Sequence, residues 1–125
     1  MLVIRNVQME ALNGVSKQNY VLQVANLFAG RYPEKFAGAD EAAAFIRSNL
    51  PKASKLDITS QLDVAKFLNF LILYGEDYES RPECAWAVEI LRSPDSTGND
   101  RVEWLDARME NLRLLEQAAA ARRKG

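Results

Sequence analysis

The sequence contains no histidine. That single absence removes the usual general base, the usual metal ligand and the usual switch at neutral pH. Cysteine is almost as scarce: Cys84 stands alone, so there can be neither an internal disulfide nor a multi-cysteine metal site, and a reducing compartment fits. With no histidine to activate it, the thiol reads as a small buried hydrophobe. The six glycines are scattered singly, never in the Gly-x-x-x-x-Gly-Lys arrangement that cradles phosphate. Serine or cysteine triads, zincin helices and aromatic RNA-binding motifs are missing too. A formal charge of −1 provides no long-range attraction for nucleic acid. These exclusions predict a protein that is not an enzyme and that holds neither cofactor nor metal.

Long hydrophobic runs are also lacking. The greasiest stretch, 62–74, is shorter than the roughly twenty apolar residues a bilayer requires, so no membrane insertion is predicted. At the start, Met1 to Ile4 are apolar, but Arg5, Asn6, Gln8 and Glu10 follow too soon for a signal peptide. The expected location is the cytoplasm. No segment alternates at period two for long enough to predict a strand.

What is present is helical. Hydrophobic content of 48% beside 26% charge supports one folded domain spanning 1–125. Its centre is 61–74, where only Asp63, Lys66 and Asn69 interrupt the apolar residues after Gln61. Almost every face of such a helix is hydrophobic, so its neighbours must surround it. Ser60 and Asp63 approximate a capping box at its start, and Gly75 suits the left-handed position just past its end.

The other helices follow from punctuation. A first helix is predicted over 6–31, with Tyr20, Val24, Leu27 and Phe28 on one face and Ile4, Leu12, Val15 and Leu22 nearer the other. Gly14 between the two patterns implies a kink, a helix covered on both sides, or simply a tolerated glycine. Pro33 closes it. A second helix is expected over 39–50, begun by Asp40 and ended by Pro51, with a basic connection over 52–59. A fourth starts after Pro82 and turns Cys84, Ala87, Val88 and Leu91 inward. The turn-rich 94–99 precedes a long last helix capped at Asp100, whose expected core face is Trp104, Leu105, Met109, Leu112, Leu115 and Ala119. Its alanine-rich and then basic tail, about 119–125, is expected to fray. The architecture is all-α, a single-domain bundle of about five helices around a buried central one.

Three constellations are candidates for function. The acidic turn Glu76, Asp77 and Glu79 lacks the ligand spacing of a calcium loop, and capping and solvation account for it better than acid–base chemistry does. Tyr78, in the same turn, is the best exposed aromatic anchor for a partner, whereas Trp86 and Trp104 sit at core spacing and are expected to be structural. Arg101 and Arg108 fall within the apolar face of the last helix and need company. Arg108 is expected to reach Asp77 or Glu79 and tie that helix to the central turn. Arg101, with Glu76, Asp77, Tyr78 and Glu79, makes up the candidate partner-binding surface.

Three stretches together resemble a group of small helical bacterial proteins encoded near type VI secretion spike and effector genes: MLVIRNVQMEAL at 1–12, the central pattern from Leu62-Asp63-Val64 to Tyr78, and Trp86-Ala87 with Ile90-Leu91. The landmarks span most of the chain but are apolar and structural, so no active-site residue carries over. Members usually have a long unbroken first helix, from which Asn13-Gly14 departs. The resemblance implies a cytoplasmic accessory, monomeric or a small homo-oligomer, whose partner is another protein. The first reading is an adaptor or chaperone-like holder of a secreted effector; the alternative is an immunity protein neutralising a cytosol-acting toxin. An exposed apolar groove would favour the adaptor, and a compact acidic patch at Glu76 to Glu79 would favour the inhibitor.

Overall fold

The computed structural model describes residues 14–124. Five α-helices follow in order: α1 (Gly14–Arg31), α2 (Ala39–Lys55), α3 (Gln61–Tyr74), α4 (Ala85–Leu91) and α5 (Gly98–Lys124), with single 3-10 turns at Tyr78–Ser80 and Pro82–Cys84 between α3 and α4. No strand forms among the described residues. This is the all-α bundle expected, and α3 is its axis. Val64, Phe67, Leu68, Phe70 and Leu71 are all buried, because α2 and α5 pack against α3, with α1 packed on α2 and α4 on α5. Apart from its end residues Gln61 and Tyr74, only the edge carrying Leu62, Lys66, Asn69 and Leu73 approaches solvent. Polar bridges cover part of it: Lys66 Nζ reaches Glu103 Oε1 at 3.0 Å, and Asn69 Oδ1 accepts the hydroxyl of Tyr32.

The start of α3 is built as the sequence suggested, with one change. Ser60 Oγ accepts the Asp63 backbone N–H at 3.2 Å and donates to Asp63 Oδ2 at 2.6 Å. Aspartate is a methylene too short to complete the box by reaching back to the Ser60 N–H; that N–H donates instead to Asn99 Oδ1 at 3.3 Å. Asp63 is left buried with Oδ1 unpartnered, and desolvation, with the Glu103 carboxylate nearby, pushes its pKa up. A carboxyl that binds its proton more tightly folded than unfolded loses stability as pH rises from the ordinary aspartate range through its raised folded value. Asp63→Asn is therefore expected to raise the melting temperature at pH 7, the gain disappearing in melts below about pH 4, where both forms are neutral.

Gly75 ends α3 at φ +102°, ψ 150°, its N–H bonded to Leu71 O at 2.8 Å. The positive φ was expected; the ψ places it in the glycine-only extended region rather than the left-handed helical one.

Pro51 does not end the second helix, which runs on to Lys55. Pro51 is exposed, so the carbonyl of Arg47 that loses its donor can bond to water, while burial of Ala53 in the next turn favours continuation. The true stop is a Schellman motif: Asp57 takes φ +59°, its N–H bonds Ser54 O, and Ile58 N–H bonds Ala53 O at 3.0 Å. The helix α5 likewise starts earlier than Asp100, because Thr97 Oγ1 accepts the Asp100 N–H at 3.0 Å and serves as the cap. It continues to Lys124, through the segment expected to fray. The part of the N-terminal face drawn through Ile4 and Leu12 lies outside the described residues, as does the 1–12 stretch of the resemblance; of that face's other members, Val15 and Leu22 are exposed.

Candidate functional site: the groove between α4 and α5

The acidic turn does not assemble a site. Glu76 Oε1 accepts Asn49 Nδ2 at 2.6 Å, and its backbone oxygen accepts Lys52 Nζ at 3.2 Å. Glu79 Oε2 pairs with Arg92 at 3.2 Å, and Asp77 O accepts the Ser80 hydroxyl. The Glu76 and Glu79 carboxylates thus go to separate partners. Among the described residues no group of acidic or cysteine side chains could hold a metal. Tyr78, expected on the surface, is 4% exposed: the 3-10 turn swings its ring inward, edge-on to Phe70 with centroids 5.0 Å apart.

The two arginines behave differently from each other. Arg101 is an internal latch, donating from Nη1 to Leu91 O at 3.1 Å and from Nη2 to Ser96 O at 2.9 Å. It closes the orphan carbonyl end of α4 and the loop that leads into α5. With these partners it is a structural residue rather than part of a partner-binding face. Arg101→Met keeps the stem and loses both bonds, and is expected to cost about 2 kcal/mol in urea unfolding. Lysine, with no planar fork, should recover only part of that.

Arg108 is exposed and makes no hydrogen bond or ion pair to any described residue. It does not tie α5 to the central turn, since Glu79 is held by Arg92. It lies instead in an open groove of about 420 Å³ between α4 and α5, beside Trp86, Glu89, Ile90, Ser93 and Trp104. Trp104, expected in the core, is 50% exposed. The reason is helical phase. Val102, Leu105 and Met109 face inward, and Trp104 sits about 100° from Leu105, so the inward arc excludes it. Leu115, also expected inside, is 65% exposed.

The groove has one fixed wall. Trp86 makes edge contacts with Phe70 (6.1 Å) and Tyr74 (5.6 Å), so its ring is oriented before anything binds. On α4, Trp86, Glu89 and Ile90 occur at helical spacing, with Ser93 just past the helix end; on α5, Trp104 and Arg108 are one turn apart. The result is an apolar channel with a free cation on one wall and, on the other, Glu89, which also lacks a described partner. Its aromatic and aliphatic walls can hold an apolar side chain and orient charge beside it. Sequence reasoning missed Glu89 and Ile90 as site residues. The available signal was an arginine spaced one turn from a tryptophan on a face otherwise read as core. No helix among the described residues is long and apolar enough to cross a membrane. The sequence matches no family model, no curated protein and no solved structure.

Proposed function

We propose that this chain is a non-enzymatic, cytoplasmic protein-binding accessory, an adaptor or chaperone-like partner of a type VI secretion effector. The observation that supports binding is the groove itself. A half-exposed tryptophan, a pre-oriented second one and an unpaired arginine in one channel are the residue types that dominate measured binding hot spots. The link to secretion rests on the sequence resemblance alone. The immunity reading asked for a compact acidic patch at Glu76 to Glu79; the Glu76 and Glu79 carboxylates instead go to separate partners, Asn49 and Arg92, so the adaptor is preferred.

The test is co-purification from the native host with mass spectrometry, comparing wild type with Trp104→Ala/Arg108→Glu. Both positions are exposed, so the double variant should melt within a degree or two of wild type. The expected result is a partner whose affinity falls at least about thirtyfold in the variant. Recovery of no partner, or of one held equally by both proteins, would overturn the proposal. A recovered toxin silenced by the complex would point to immunity instead.

A further inference from the structure

On the other side of α4 lies a second hollow, of about 320 Å³, between the carboxyl ends of α2 and α4 and the 3-10 turn. Its apolar lining is Leu56, Val88 and Leu91. Three cations, Lys52, Lys55 and Arg92, border it against the one carboxylate of Glu79. Arg92 pairs with Glu79, Lys52 bonds only the Glu76 backbone oxygen, and Lys55 has no described partner. The partial negative ends of two helices explain why lysines gather here, but about half an elementary charge from each still leaves roughly one positive charge uncompensated.

The helix ends do not explain Tyr78. Its ring is buried and fixed against Phe70, it lines this hollow, and its hydroxyl, which reaches solvent, bonds no described residue. Burial first, and then Glu79, push its pKa up to about 12, with Arg92 opposing, so at neutral pH it is a donor open to water or to a ligand oxygen. We propose that this hollow is a binding site for a small monocarboxylate with a short apolar tail. The carboxylate accepts from the Tyr78 hydroxyl within the field of Lys52, Lys55 and Arg92, and the tail lies on Leu56, Val88 and Leu91. The site is separate from the α4–α5 groove and does not depend on what that groove binds.

Octanoate is the probe, and methyl NMR at constant ionic strength is the readout. Saturable shifts are expected at the methyls of Leu56, Val88 and Leu91, with octylammonium producing none. Tyr78→Phe, which keeps the ring, should weaken octanoate about tenfold. Lys55→Glu, at an exposed position that should leave folding intact, should weaken it at least as much. The proposal is overturned if octanoate leaves those methyls unmoved, if octylammonium binds equally well, or if both variants bind octanoate as wild type does.

Discussion

Replacing Phe70 with alanine should cost about 4 kcal/mol of stability, read as a large fall in the urea midpoint with little change in its slope. Phe70 is fully buried at the middle of α3. Its ring stacks with Tyr74 at 5.2 Å and meets Tyr78 and Trp86 edge-on at 5.0 and 6.1 Å. Truncation therefore removes the transfer energy of the ring and leaves a cavity walled by three aromatics that cannot easily collapse into it. Leu73→Ala, one turn along the same helix but 48% exposed, should cost less than about 1 kcal/mol. Similar costs at the two positions would mean that α3 is not the axis of the core. Because Phe70 braces Trp86 from one side and Tyr78 from the other, the same substitution should also loosen the groove wall, visible as a red shift in tryptophan emission.

This coupling shows which parts of the molecule could be read from the residues. The axis was legible because it depends on local composition: an all-round apolar helix must be buried whatever surrounds it, and Ser60 and Gly75 mark its ends by side-chain and backbone chemistry of their own. Pro51 was misread because a local penalty was set against a packing gain one turn later, which no local rule contains. Tyr78 was misread for the opposite reason, since a turn of polar residues suggests exposure, while a 3-10 geometry decides which of its four side chains points in. Trp104 and Leu115 show the limit of periodicity. The last helix has apolar residues over more than half its circumference, so the pattern fixes that it packs but not at which rotation. Val102, fully buried, settles it, and it lay outside the expected core face. The arginines were the residue of that ambiguity. One of them, Arg101, lay near enough to Leu91 and Ser96 to be consumed internally, and the other was left in the groove.

Gly98→Ala is expected to destabilise the fold by about 3 kcal/mol, against the simple prediction from helix propensity, which favours alanine by up to about 1 kcal/mol. Gly98 is the buried first residue of α5. A Cβ there would sit 2.2 Å from Asp57 O, 2.3 Å from Asp57 C and 2.4 Å from Leu56 O. These are backbone atoms with little room to yield. Asp57 is held at φ +59° by the bonds that close α2. On the other side, Asn99 Oδ1 accepts the Thr59 N–H at 3.1 Å, and its Nδ2 donates to Thr59 Oγ1 at 3.0 Å. Relief therefore requires either opening the α2 stop or lifting the amino end of α5, and the second would strain the Thr97 cap and the Arg101 latch together. Gly30→Ala is the matched control: it lies within α1, its Cβ would meet nothing within 4 Å, and it should gain up to about 1 kcal/mol. Opposite signs for the two substitutions in urea unfolding would separate close approach from propensity as the reason a glycine begins α5; a gain at both positions would remove the proposed contact between the start of α5 and the end of α2.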